Sequence, residues 1–93
     1  MMTLDQDITI GCAFRYALGR MTYVVDSVCN EIERQALSIS TKTLARFVRE
    51  IGDAIKEKHA GMEMDEQRWL KTRAIIIAEL KRRGIDENTI FGH

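Results

Sequence analysis

The chain has 93 residues, of which 45% are hydrophobic and 30% charged, and its 14 basic and 14 acidic side chains give a formal net charge of zero. This length and composition predict a single globular domain over residues 1–93 and exclude a disordered chain. Because general nucleic-acid binding depends on an excess of Lys and Arg, the balanced charge argues against it.

The cysteines and the apolar runs bear on the cellular compartment. Cys12 and Cys29 form neither a CxxC pair nor a disulfide framework. We therefore expect both to be reduced and buried as small hydrophobes in a cytoplasmic protein. The N-terminal residues 1–7 are polar and acidic, unlike a signal peptide, and the longest apolar stretch, residues 74–78, is too short to span a bilayer.

The chain contains no proline, and the spacing of its apolar residues predicts an all-α fold with about four helices. The first helix is predicted over about residues 5–18, with Gly19 past its end in a left-handed conformation. Gly11 lies inside this helix at a cost of about 1 kcal/mol relative to alanine, which the close approach of another backbone would explain. The expected apolar face comprises Ile8, Ile10, Cys12, Phe14, Tyr16 and Ala17.

The second helix is predicted over about residues 22–35, with Thr22 as its N-cap. The β-branched start of this segment favours a strand as the alternative, but the apolar spacing indicates a helix. Residues 37–40 are predicted to form a linker. The expected buried stripe comprises Val25, Val28, Cys29 and Ile32.

The third helix is predicted over about residues 41–60, with Ser40 as its N-cap and Gly61 after its end. Charged residues of both signs alternate on its outer face, so we expect ion pairs between successive turns. Its expected buried stripe comprises Leu44, Phe47, Val48, Ile51 and Ile55.

The fourth helix is predicted over about residues 65–83. Asp65 is its expected N-cap, with Met64 packing against Trp69 as a hydrophobic staple. Gly84 is expected to end the helix in a Schellman motif. Two apolar rows are predicted, one formed by Trp69, Ile76 and Leu80 and the other by Leu70, Ala74 and Ile77.

A helix that is apolar on two sides is either central in a bundle or faces another chain. Together with the small core of a short chain, this predicts a small antiparallel helical bundle that forms a homodimer. In the tail, residues 86–93, Ile90 and Phe91 either fray or dock on a neighbour.

Catalytic and metal-binding patterns are not found in the sequence. His59 and His93 are the two candidate imidazole bases, and neither combines with a cysteine into a nucleophilic constellation. The local group of His59, Glu63 and Asp65 matches no zinc or calcium spacing. The sequence therefore predicts a protein that is not an enzyme and that holds neither metal nor cofactor.

Two basic groups on predicted helices are candidate contacts for a partner. Arg46 and Arg49 lie near one another on the third helix, and Arg68 and Lys71 do so on the fourth. Helix-turn-helix proteins use such faces on DNA, but acidic residues share the surface of the third helix. A solvated face with ion pairs is the favoured interpretation, and a small DNA-binding regulator is the weakest functional alternative.

The run from Phe14 to Tyr23 combines two arginines and two tyrosines around the end of the first helix. Arg15, Tyr16, Arg20 and Tyr23 could form a pocket for a phosphate or a flat ring. The alternative is a corner between helices, in which these side chains bond to backbone carbonyls.

The run Arg-Tyr-Ala-Leu-Gly-Arg-x-Thr-Tyr, residues 15–23, resembles that of a group of small proteins encoded by phages and prophages. An Asp and a Trp in the C-terminal half, matched by Asp65 and Trp69, add to the resemblance. The resemblance implies a place in the cytoplasm of a bacterial host cell and transfers no functional residue. Three functions are open: a protein that blocks a host component such as a CRISPR effector, a sponge for a nucleotide signal, and a DNA-binding regulator.

Overall fold

The computed structural model describes residues 4–19, 24–57, 62–86, 88 and 90 of the chain. These residues form four α-helices and no strand: α1, Leu4–Gly19; α2, Val25–Gln35; α3, Thr41–Glu57; and α4, Met62–Arg82. Helix α4 packs against α2 and α3, and α1 packs against α2 and α3 from another side. The predicted all-α bundle is confirmed.

The corner between α1 and α2 differs from its prediction. Gly19 is the last helical residue of α1, so it does not lie past the end. Helix α2 begins at Val25, and its N-cap, Val24, makes no side-chain capping bond. The described helix thus begins three residues after the predicted start, and Thr22, the predicted N-cap, lies outside the described residues. The alternative of a strand is wrong for Val24 and Val25, which are the N-cap and the first residue of α2. Val25 is buried in the core, and this packing outweighs the preference of valine for strands.

The connection between α2 and α3 follows its prediction. The backbone N–H of Thr43 donates to the Oγ of Ser40 over 3.3 Å, and the N–H of Leu44 donates to the Ser40 carbonyl over 3.0 Å. Ser40 is therefore the N-cap of α3, as its side chain predicted. The linker residue Ile39 is buried and belongs to the core, which its sequence position did not indicate.

Helix α4 begins at Met62, so the N-cap predicted for Asp65 is wrong. Methionine and glutamate are good helix formers, and residues 62–64 extend the helix before Asp65. The staple predicted between Met64 and Trp69 concerns the Met64 side chain, which lies outside the described part of the structure. The other end is confirmed as a Schellman motif, because Ile85 N–H donates to the Leu80 carbonyl over 3.1 Å and Gly84 has φ of 84°.

Three aromatic rings join α1, α3 and α4 at the centre of the molecule. The rings of Phe14 and Phe47 stack with centroids 4.2 Å apart, and Trp69 meets Phe14 edge-on at 5.6 Å. All three side chains are buried. The aliphatic part of the core comprises Ile10, Val25, Ile32, Ile39, Leu44, Val48, Ile51, Ile76, Leu80 and Ile90.

One apolar row on each of α1 and α4 faces away from this core. Ile8 is 56% exposed and Cys12 is exposed, so the prediction that they are buried is wrong. On α4, Leu70 is 37% exposed and Ala74 is exposed, whereas Ile77 packs partly against the core. Ile8, Cys12, Leu70 and Ala74 are therefore left uncovered by the described part of the chain.

Ile90 in the tail is fully buried in the chain's own core. Of the two predicted outcomes, fraying or docking, Ile90 therefore docks, because its side chain packs in the hydrophobic core. Phe91 lies outside the described residues.

Arginine side chains cover two glycines within helices. The Nη2 of Arg46, on α3, lies 2.8 Å from where a Cβ of Gly11 would be, and the Nη2 of Arg73, on α4, lies 3.5 Å from that of Gly52. Arg73 also donates from Nε to the Val48 carbonyl over 3.1 Å. The close group at Gly11 is thus a guanidinium, and the expected backbone approach is wrong.

These distances predict that alanine stabilises the protein more at Gly52 than at Gly11. Gly52→Ala should raise the free energy of unfolding by about 0.5–1 kcal/mol, because alanine favours the helix and 3.5 Å is an ordinary contact. Gly11→Ala should gain less, because the Arg46 guanidinium must move away from the new methyl group. Urea denaturation of both variants measures the difference, and an equal gain at both sites would contradict it.

Candidate functional site

The structure brings together predicted contact residues from two distant parts of the sequence. Arg15 of α1 lies 3.8 Å from Glu50 of α3, and Arg46 of α3 approaches Gly11 of α1, so both arginines lie where the two helices pack. Arg49 is exposed on α3. Of the remaining residues of the aromatic and basic run, Arg20, Tyr23 and the side chain of Tyr16 lie outside the described residues.

We call the group formed by Ile8, Cys12, Arg15, Arg46 and Glu50 the α1–α3 surface. Its α1 members are exposed, and Arg46 and Glu50 are partly exposed. The three α1 members, with Gly11, fall within about 100° of the helix circumference. Gly11 is the point at which this face meets α3, through the guanidinium of Arg46. Two exposed apolar side chains therefore lie beside a charged group on a neighbouring helix.

The charged members of this surface have few polar partners. The Nη2 of Arg15 is 3.8 Å from the Oε1 of Glu50, which is longer than a hydrogen bond. The Nε of Arg46 and the Oε2 of Glu50 are buried and have no hydrogen-bond partner in the described part of the chain. The Arg46 guanidinium lies 5.8 Å from the centroid of the Phe47 ring, a weak cation–π contact. Buried polar groups without partners are uncommon and call for an explanation.

Arg68, the other predicted arginine contact, occupies an internal position. Its Nη1 donates to the Oε2 of Glu33 over 2.5 Å and to the Thr72 hydroxyl over 2.9 Å, and its Nη2 donates to the Oδ1 of Asn30 over 2.6 Å. The Thr72 hydroxyl donates to the same Glu33 oxygen over 2.7 Å. We call these four residues the α2–α4 network. Lys71, the next candidate, is exposed nearby.

The α2–α4 network changes the acidity of the groups in it. Burial works to raise the pKa of Glu33, but the hydrogen bonds from Arg68 and Thr72 outweigh it, so the pKa is lowered. The hydrogen bond to Glu33 raises the pKa of Arg68. The adjacent Cys29 is buried, as predicted, and burial raises the pKa of its thiol. This geometry stabilises a charged pair and a neutral thiol, which is a structural arrangement.

A second network lies at the C-terminal end of α4. Arg83 donates from Nε to Glu79 over 2.7 Å, from Nη1 to the Thr41 hydroxyl over 3.0 Å, and from Nη2 to the carbonyls of Ala36 and Leu37 over 3.0 and 3.3 Å. The side chain thus joins the end of α4 to the connection between α2 and α3. Backbone carbonyls at the end of a helix need such donors.

Glu79 makes stability depend on pH. Hydrogen bonds from Arg82 and then Arg83 lower its pKa from 4.5 to about 2. Because the pKa of Glu79 is lower in the folded state than in the unfolded state, the ionised side chain adds to the free energy of unfolding. This contribution is present above pH 4.5 and is lost as the pH falls towards about 2.

We therefore expect the melting temperature of the wild-type protein to fall as the pH is lowered from about 5 to 2. At pH 7 the Glu79→Gln variant should melt at a lower temperature than the wild type. Its melting temperature should fall less than that of the wild type when the pH is lowered. Circular dichroism melts across this range measure both. A variant that loses stability as steeply as the wild type would contradict this role for Glu79.

No group of three or more potential metal ligands is found among the described residues. His59, His93 and Glu63's side chain lie outside them. No helix in the described ranges is both long and apolar enough to cross a bilayer.

Comparisons of the chain with protein-family models, with curated proteins and with solved structures found no match. The functional argument therefore depends on the geometry of the chain's own residues.

Sequence reasoning missed the acidic and hydroxyl partners of these arginines. Glu33 and Thr72 are far apart in sequence, and no local spacing relates them. The signal that could have found them is position: Thr72 falls on the buried side of α4, in the same row as Trp69 and Ile76, where a polar side chain needs a partner.

Proposed function

We propose that this chain is a small, non-enzymatic binding protein, of phage or prophage origin, that blocks a component of a bacterial host cell. The proposed host component is a protein, and an antiviral defence factor such as a CRISPR effector is the class we favour. The α1–α3 surface is its proposed binding site. The phage context comes from the resemblance of residues 15–23 and of Asp65 and Trp69.

The observation that carries this proposal is the combination, on the α1–α3 surface, of exposed apolar side chains with a loosely spaced ion pair between Arg15 and Glu50. Ile8 is 56% exposed beside Arg15, and Glu50 has a buried oxygen without a donor. Protein interfaces combine apolar contacts with arginine and polar groups at their edges. A partner would cover the apolar side chains and supply hydrogen bonds.

A pull-down from bacterial lysate tests the proposal. Tagged wild-type protein should recover a stoichiometric protein partner, and Ile8→Glu should lose it because a charge replaces the exposed apolar contact. Leu37→Glu is the matched control, since Leu37 is also exposed and apolar but lies between α2 and α3. Circular dichroism should show all three proteins folded.

Two results would overturn the proposal. One is a wild-type protein that recovers no stoichiometric partner. The other is an Ile8→Glu variant that recovers the partner as well as Leu37→Glu does, because the α1–α3 surface would then not be the binding site.

A nucleotide sponge is the second candidate function, supported by the presence of two arginines, Arg15 and Arg46, where α1 packs against α3. Guanidinium groups bind phosphates well. Thermal-shift measurements with cyclic and ADP-ribose-type nucleotides test it. A ligand at a hundred times its dissociation constant should add about 2.7 kcal/mol to the unfolding free energy; no shift with any nucleotide would exclude a sponge for these classes.

Homodimer formation is part of the proposed assembly. The exposed row that includes Leu70 and Ala74 on α4 supports it, because an apolar helix face can pack on its counterpart. Light scattering at high concentration should give the mass of a dimer, and a strict monomer would contradict this.

A further inference from the structure

We propose that the homodimer forms by antiparallel packing of α4 on the α4 helix of a second copy, with Ala74 near the point where the two helices cross. This inference rests on the proposed homodimer, and it adds which residues meet and in which direction the two helices run. The second copy covers the outer face of α4, which comprises Glu66, Leu70, Ala74, Ile77, Ala78 and Lys81.

The middle of the outer face of α4 is an apolar strip. Leu70 is 37% exposed, Ala74 and Ala78 are exposed, and Ile77 is partly exposed. Leu70, Ala74 and Ile77 follow one another at the alternating spacing of four and three residues with which one helix packs along another. Because the side chain of Ala74 is small, a second helix can approach the backbone of α4 closely at this point. The strip therefore fits a helix that carries the same residues.

Charges at the two ends of this strip favour the antiparallel direction. The partly exposed Glu66 lies about one turn before Leu70, and the exposed Lys81 lies about one turn after Ile77. In an antiparallel pair centred midway between Leu70 and Ile77, Leu70 of each copy lies opposite Ile77 of the other, and Glu66 lies opposite Lys81. In a parallel pair each of these charged residues would face its own counterpart, and like charges across an interface are unfavourable. The outer face of α4 is thus complementary in charge to a second copy only when the second copy is reversed.

The outer face of α4 points away from helix α1. Helices α1 and α4 each pack against both α2 and α3, so α1 and α4 occupy opposite corners of the bundle. A second copy packed on α4 therefore leaves Ile8 and Arg15 of α1 exposed in both chains. The dimer then presents two α1–α3 surfaces on opposite sides, which makes the proposed binding protein bivalent.

Sedimentation velocity of the full chain tests which face forms the dimer. The wild type should sediment as a dimer, and Ala74→Glu should sediment as a monomer at the same concentration, because it buries a charge where the two helices cross. Ala74 is exposed in the single chain and glutamate is a good helix former, so this variant should still fold. Ile8→Glu is the matched control: it adds the same charge at an exposed apolar position of α1 and should remain a dimer.

Charge reversal tests the direction of the two helices. Glu66→Lys and Lys81→Glu should each raise the dissociation constant of the dimer about tenfold, because each variant places two pairs of like charges across the interface. The variant with both substitutions should regain the wild-type constant, because it restores pairs of opposite charge. Any loss of helix stability from the reversed charges would instead be largest in the double variant. Circular dichroism melts measure that stability separately.

Three results would overturn the inference while the homodimer itself stands: an Ala74→Glu variant that remains a dimer, a double charge reversal that binds no more tightly than the single ones, or a monomeric Ile8→Glu variant. The last result would place the dimer contact on the α1–α3 surface. A monomeric wild type would overturn the homodimer and this inference together, but not the binding of a host protein. A dimer with the expected variants and no captured host protein would overturn the proposed binding function alone.

Discussion

Replacing Phe14 with alanine should destabilise the protein by about 3–5 kcal/mol, the range typical of truncating a buried phenylalanine. Phe14 is fully buried, stacks on Phe47 and contacts the edge of Trp69, so its loss leaves a cavity where α1, α3 and α4 meet. Small domains have a total stability of about 5–15 kcal/mol. We therefore expect much of the population to unfold at moderate temperature, measured by urea denaturation with far-UV circular dichroism.

Ile8→Ala is the matched control for this prediction. Ile8 is a large apolar residue on the same helix but is 56% exposed, so its truncation should change the unfolding free energy by about 0.5 kcal/mol or less. Equal losses for the two variants would contradict the orientation of α1 described above.

Replacing Arg68 with methionine should destabilise the protein by about 2 kcal/mol, the second-largest expected effect. The substitution retains an apolar stem but removes the donors to Glu33, Thr72 and Asn30. Hydrogen bonds to charged groups contribute about 1.5–3 kcal/mol each. The Arg68 and Glu33 side chains are each 19% exposed. This contact with solvent screens their charges, so the expected loss of unfolding free energy is smaller than the sum of the separate hydrogen bonds.

Arg34→Met is the control, because Arg34 pairs with Glu31 on the exposed side of α2. Exposed ion pairs contribute about 0–1 kcal/mol to stability, so the unfolding free energy of Arg34→Met should be close to that of the wild type. Urea denaturation of Arg68→Met, Glu33→Gln and the variant carrying both substitutions gives the coupling between Arg68 and Glu33. A coupling near zero would show that the α2–α4 network does not hold the two helices together.

The helices could be predicted from the sequence because their signals are local. Apolar spacing located all four, Ser40 marked the start of α3, and Gly84 marked the end of α4. A cap or a left-handed glycine depends on the few residues beside it, so the sequence contains the whole signal.

Other features depend on which helices pack together, and these were predicted poorly. Ile8 and Ile10 look equally apolar in sequence, but only the packing of α1 against α2 and α3 decides that Ile10 is buried. The same holds for the candidate site. Arg15 and Arg46 were each singled out, yet the approach of Arg15 to Glu50 and of Arg46 to Gly11 depends on a contact between distant helices.

The contacts of Arg83 have a consequence for folding during synthesis. Its donors reach the Ala36 and Leu37 carbonyls and the Thr41 hydroxyl, so the corner between α2 and α3 lacks these bonds until the far end of α4 has left the ribosome. The aromatic cluster likewise waits for Trp69. Because a domain folds as a unit, the first three helices of the nascent chain would remain without their native core, exposed to chaperones and proteases, until α4 has been synthesised.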